Sequence, residues 1–194
     1  MNVGGSPPDT LKSTINSASI DSLTLIGGAA ANTFTLTGWN KKTSIDGGAG
    51  KDILVYAGDT DFLLTANQLV VGKGASSVNS SPTGSIAFTL ANTETLTLTG
   101  GASANVFTMS GFAGTVNVDG GAGSDVYYLY LTAADALTVV LKDTGTGRTD
   151  KDSLFAYAAT AVPTHSTSSK RITFMMSRLD YLNIETIQVL RGSM

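Results

Sequence analysis

Residues 93–127 read TETLTLTGGASANVFTMSGFAGTVNVDGGAGSDVY, and residues 20–54 read IDSLTLIGGAAANTFTLTGWNKKTSIDGGAGKDIL. Set against each other without a gap, at a shift of 73, they are identical at roughly half of their positions, a level of self-similarity that marks an array of structural units. A third copy starts at Asn183, where NIETIQVLRG (183–192) lines up with SIDSLTLIGG (19–28) and NTETLTLTGG (92–101). The second spacing is 91, and its excess of 18 over the first has the length of one additional coil. The repeats predict one segment over 1–194, with units at 19–91 and 92–182 and the start of a third at 183–192.

Inside each unit runs a shorter period. GGAAAN (27–32) recurs as GGAGKD (47–52), and GGASAN (100–105) recurs as GGAGSD (120–125), each time 20 residues on. Leu23-Thr24-Leu25, Phe34-Thr35-Leu36, Leu96-Thr97-Leu98 and Val116-Asn117-Val118 alternate apolar and polar residues, the period of strands that bury one face. No 3.6-residue period is sustained, and only two of the 15 acidic residues, Glu94 and Glu185, are the helix-favouring glutamate. Strands separated by Gly, Asn, Asp and Ser give an all-β class. The 20-residue register stacks Phe34 over Leu54 and Phe107 over Tyr127, with Leu25, Leu36, Leu98, Met109 and Val118 also inward. Roughly nine or ten such coils, about 4.8 Å apart, would form a rod of about 45 Å. Further strands are expected within 61–71, 85–90, 136–141, 153–157 and 171–176, with surface loops at 74–84, 142–152 and 163–170.

The composition excludes several functions. The chain is 42% hydrophobic and 14% charged, with net charge −3, no cysteine and one histidine. Zero cysteines rule out disulfides, thiol catalysis and thiolate zinc, and His165 alone cannot build a multi-imidazole centre. Beyond Lys41-Lys42 and Lys170-Arg171 there is no basic cluster for a phosphate backbone, so no nucleic-acid partner is expected. No apolar run approaches the 18 residues of a membrane helix, so no membrane insertion is expected. The opening MNVGGSPPDT lacks the basic and apolar regions of a secretory signal, which fits either a piece of a longer protein or export by another route.

Two segments resemble a known pattern. Gly47-Gly48-Ala49-Gly50-Lys51-Asp52-Ile53-Leu54-Val55 and Gly120-Gly121-Ala122-Gly123-Ser124-Asp125-Val126-Tyr127-Tyr128 are similar to the calcium-binding nonapeptide of RTX proteins, with Tyr127 departing at an apolar position. The wider succession ETLTLTGG, NxFTxxGF, VxxDGGAGxD resembles hemolysin-type and adhesin-like repeat segments of large bacterial surface or secreted proteins. The resemblance implies a right-handed parallel β-solenoid (β-roll or β-helix) with coils of about 18–20 residues, an extracellular or cell-surface location, and partners that are neighbouring repeats or other copies end to end. It also implies calcium at Asp52 and Asp125 with Gly47, Gly50, Gly120 and Gly123. The turns 20 residues earlier carry Asn32 and Asn105 in place of aspartate, which halves the charge. The alternative is that Asp52 and Asp125 are turn caps. Asp46 and Asp119 are either further ligands or solvated.

The leading expectation is a non-catalytic structural or adhesive segment. A calcium-dependent RTX-type folding module is the second reading, and a carbohydrate-active enzyme on a β-helix the third. The last would need acids clustered on a groove. Asp59, Asp61, Asp143, Asp150 and Asp152 form the dense acidic groups, in segments read as loops. A triad on His165, an ice-binding array on Thr35/Thr37 and Thr97/Thr99, and a polyanion or sugar contact at Trp39-Lys41-Lys42 each have a plainer reading: an exposed loop, ordinary strands, and a solvated turn whose counterpart, Phe112-Ala113-Gly114, carries no charge.

Overall fold

The structure, a computed structural model, describes residues 19–74, 85–132, 136–145, 147, 150–158 and 163–191. The expected loop at 74–84 falls almost wholly outside them. Seventeen strands and no α-helix occupy the described residues. The first unit supplies β1 (Ser22–Ile26), β2 (Thr33–Thr37), β3 (Lys42–Asp46), β4 (Ile53–Ala57), β5 (Phe62–Leu64), β6 (Gln68–Val71) and β7 (Ile86–Ala91). The second supplies β8 (Thr95–Thr99), β9 (Val106–Ser110), β10 (Thr115–Asp119), β11 (Val126–Leu131), β12 (Thr138–Lys142), β13 (Ser153–Ala158), β14 (Thr164–Ser166), β15 (Arg171–Phe174) and β16 (Ser177–Leu182). The last strand is β17 (Thr186–Arg191).

They form a nine-stranded sheet, ordered β1-β3-β7-β6-β5-β9-β11-β13-β17, and an eight-stranded sheet, ordered β14-β15-β16-β12-β10-β8-β4-β2. From β1 to β4, and again from β8 to β13, successive strands alternate between the sheets, and pairing along these stretches is parallel. The 20-residue register holds for β1/β3, β2/β4, β8/β10 and β9/β11, so Phe34 pairs with Leu54 and Phe107 with Tyr127. The residues expected inward, including Leu25, Leu36, Leu98, Met109 and Val118, are all buried. Ring stacking adds to area burial along the ladder: Phe62 stacks on Phe107 with centroids 4.5 Å apart, and Phe107 on Tyr127 at 5.3 Å.

Two antiparallel meanders interrupt the parallel order, and alternation alone does not signal them. The stretch 61–71 is not one strand: β5 and β6 form a hairpin, and β7 returns antiparallel to β6 before joining β3 in parallel. Likewise β14, β15 and β16 form a meander in the other sheet, with β16 returning parallel to β12. The expected loop at 163–170 is thus partly β14, and strand structure continues past 176 into β16 because Met175, at φ 52, makes a tight reversal. Each meander occupies one sheet and ends in the same tetrapeptide pattern, Asn-x-Glu-Thr, with Asn92 (φ 48) and Asn183 (φ 60) left-handed. Asparagine tolerates that conformation better than most residues. The first unit makes an odd number of passes between the sheets, the meander counting as one, so the second unit enters with the sheets exchanged. β1 lies in the nine-stranded sheet, and its equivalent β8 in the eight-stranded one.

Candidate metal centre

The turns between the sheets stack, and the residue just before each strand forms a rung. Asp52 accepts the Asn32 N–H through Oδ1 at 2.6 Å, and Glu94 accepts the Asp52 N–H at 2.8 Å. In the second unit Asp125 accepts the Asn105 N–H at 2.6 Å, Asp152 the Asp125 N–H at 2.8 Å, and Glu185 the Asp152 N–H at 2.7 Å. The two glutamates therefore close the two ladders. Asp52 and Asp125 do not cap their own turns; they tie their layer to the layer before it. The local cap role belongs to Asp46 and Asp119, whose Oδ1 atoms accept the N–H two residues on, from Gly48 and Gly121.

The glycines have packing reasons. A Cβ on Gly120 would sit 2.1 Å from the Tyr127 hydroxyl and 2.2 Å from Asp125 Oδ2, and one on Gly47 would sit 1.9 Å from the Asn92 carbonyl oxygen. Gly50 and Gly123, at φ +119 and +107, press on the backbone of the preceding turn, at Ala30 and Ser103.

Above Asp125 the structure departs from the expected solvated loop. Asp143, directly after β12, and Asp152, directly before β13, are buried together with Asp125, and a carboxylate oxygen of each lies within 4.8 Å of the other two. Tyr127, on the inner face of β11, donates its hydroxyl to Asp143 Oδ2 at 2.5 Å, and the Gly145 N–H donates to Asp143 Oδ1 at 2.7 Å. The departure of Tyr127 from the nonapeptide pattern thus has a chemical reason. Asp125 Oδ2 is buried without a partner, and so are both carboxylate oxygens of Asp150. The ion pairs among the described residues, Lys73–Asp61, Arg171–Asp180 and Arg178–Asp180, lie elsewhere.

Three buried carboxylates cannot all stay charged without cost. At an effective dielectric of about 20, two anions about 5 Å apart repel by roughly 3 kcal/mol. Burial, then the charges of Asp143, Asp152 and Asp150, push Asp125 up to about 7, against the pull of the Asn105 N–H. Burial likewise raises Asp152 to about 6, with Asp143, Asp150 and Glu185 adding to the effect. Asp143 is raised by burial and by Asp119 and Asp150, while Tyr127 and Gly145 hold it back. The arrangement can retain protons or take up a cation through oxygen ligands.

Asp52 is also fully buried and its Oδ2 has no partner, yet its acidic neighbours are Glu94 and Asp46, and among the described residues no group of three carboxylates includes it. Of the residues the nonapeptide resemblance points to, the structure brings Asp125 and Gly120 to the acidic cluster. Asp143, Asp150 and Asp152 were visible in the sequence only as charge in a loop; their spacing matches no ligand motif.

The other candidates fall apart. His165 is half-buried on β14 and bonds the Tyr181 hydroxyl at 2.8 Å. Trp39 is buried, donating Nε1–H to the Lys41 carbonyl and Thr43 Oγ1, so its ring offers no sugar face. The sequence matches no family model and no curated protein.

Proposed function

We propose that the chain is a non-catalytic structural or adhesive segment of a large bacterial extracellular or cell-surface repeat protein, built as a right-handed parallel β-solenoid. One observation carries this reading: the core passes without a break from one sequence unit into the next. Strand β4 of the first unit pairs in parallel with β8 of the second, Leu54 against Leu96 and Tyr56 against Leu98, and β13 pairs in the same way with β17 of the third copy. Units that bury their apolar faces against one another extend along one axis, which suits a spacer.

The acids of the described residues do not favour polysaccharide chemistry. A glycosidase needs two carboxyls flanking an accessible bond. The open cavity beside Trp39, Asn40 and Asp59, about 210 Å³, is lined by a single carboxylate, and hydrogen bonds from Ser103 and Asn105 hold Asp59 below its ordinary range. Against an obligate calcium-dependent folding module stands the apolar core itself, in which the rings of Phe62, Phe107 and Tyr127 stack from strand to strand. The fold is expected to survive chelation, with its β circular-dichroism signal intact in EDTA.

Small-angle scattering on a variant in which unit 92–182 is duplicated tests the spacer reading. The expected result is a greater maximum dimension with an unchanged cross-section; a widened cross-section or loss of β structure would overturn it.

A further inference from the structure

We infer that Asp125, Asp143 and Asp152 form a calcium site that clamps the two ends of the 143–152 connection onto the turn beneath it. This ligand set differs from the one the nonapeptide resemblance implies, which draws on each turn's own glycines and would treat Asp52 and Asp125 alike. The inference is independent of whether the chain serves as a spacer.

Three independent features meet at this place. One carboxylate oxygen from each aspartate lies within 4.8 Å of the other two, and a cation held at about 2.3–2.6 Å by each of several oxygens requires that spread or less. Asp125 is fully buried and its Oδ2 has no hydrogen-bond partner, an arrangement that leaves a lone pair directed at no donor. Gly120, lacking a side chain, keeps open the space that Oδ2 shares with the Tyr127 hydroxyl. Asp150, whose carboxylate lies against Gly145 with both oxygens buried and unpartnered, adds negative charge nearby but stands outside the group of three.

The chemistry selects the ion. The donors are all hard oxygens; the chain has no cysteine, and its histidine is bonded to Tyr181. Softer metals that favour sulfur or imidazole gain nothing here, and magnesium demands a regular octahedron that three carboxylates from separate turns do not impose. Calcium accepts irregular carboxylate sets. Bound there, it would replace mutual repulsion with attraction and fix the connection at both ends.

Calorimetric titration of the metal-free full-length chain with calcium chloride at pH 7.5, paired with thermal melting, tests the site. The wild type should bind one calcium, and its melting temperature should rise by about 5–10 °C when calcium reaches about 100 times Kd. Asp143→Asn and Asp152→Asn should each weaken binding at least tenfold while keeping the β signal, and Asp52→Asn should bind as the wild type does. If the aspartate variants fail to fold, terbium on the wild type replaces them: emission excited through tyrosine should appear, and should vanish in Tyr127→Phe. No heat and no shift in melting at millimolar calcium, wild-type affinity in folded Asp143→Asn and Asp152→Asn, or terbium emission unchanged in Tyr127→Phe would each overturn the site. Loss of binding in Asp52→Asn alone would place calcium at the other turn and overturn it equally.

Discussion

The turns 47–52 and 120–125 are nearly the same in sequence and do different things. Each has an aspartate that accepts the N–H of an asparagine 20 residues earlier at 2.6 Å, and each has a first glycine that lets that aspartate approach the backbone. What differs is the layer above. Over Asp52 runs the short connection from Ala91 to Glu94, where the Asn92 side-chain amide donates to Asp46 and Glu94 supplies the next rung. Beside Asp125 lie Asp143 and Asp152, two more buried aspartates, with Thr144 donating to Asp119 where Asn92 donates to Asp46. The inner side chain after the turn differs too: Leu54 has no polar atom, and Tyr127 reaches Asp143. A turn motif therefore specifies half a site, and the neighbouring layer decides what the half becomes.

The harshest way to break the comparison is at the glycines. In Gly47→Ala the new Cβ meets backbone, the Asn92 carbonyl, whereas in Gly120→Ala it meets the ends of two side chains. Urea denaturation should show a loss of about 3 kcal/mol or more for Gly47→Ala and a smaller loss for Gly120→Ala. Equal losses would mean that the side chains at the second turn are as immovable as backbone.

The next test separates the turns by pH. With EDTA present, Asp125 and Asp152 keep protons in the folded state that the unfolded chain releases near pH 4. The folded state then binds more protons than the unfolded between pH 4 and about 7, so stability is greatest on the acid side and falls as pH rises. The groups facing these two are Asp143, Asp150, Glu185 and the Tyr127 hydroxyl, with Asp119 acting on Asp143. The melting temperature should be higher at pH 5 than at pH 8 by roughly 5 °C or more, and Asp143→Asn should flatten that dependence. Asp52→Asn should flatten it less, because only Glu94 and Asp46 add charge to the burial that raises Asp52.

How much of this was legible beforehand follows from the kind of signal each part leaves. The strands and the inward ladder of Leu25, Phe34, Leu54 and Phe107 are written locally, as alternation and a 20-residue register. The meanders are not, because a hairpin such as β5/β6 and a return strand such as β16 leave the same alternating pattern as strands in parallel order. The site was half legible. Asp125 stood in a recognisable turn, but Asp143 and Asp152 lie among Gly, Thr and charged residues that read as solvated, and only their contacts with the turn at 119–125 bury them. Tyr127 carried a faint signal as the polar-tipped residue at a position where its counterpart is leucine.

Two smaller effects sharpen the contrast. Tyr127→Phe in EDTA removes the donor to Asp143 Oδ2 inside a buried site and should cost about 1–2 kcal/mol in a denaturation curve. Glu94→Gln and Glu185→Gln keep an oxygen to accept the rung N–H at the ends of the two ladders. Each should cost about 0.5 kcal/mol or less at neutral pH, since an amide oxygen replaces a charged acceptor with the geometry kept. A loss several times larger would show that the ladders depend on charge rather than on hydrogen bonding.

The most direct test of the difference between the two turns is an anomalous-difference map from crystals of the full chain grown with terbium as the calcium substitute. A peak bounded by Asp125, Asp143 and Asp152 is expected, with none beside Asp52. Peaks of equal height at both aspartates, or a peak beside Asp52 alone, would contradict it.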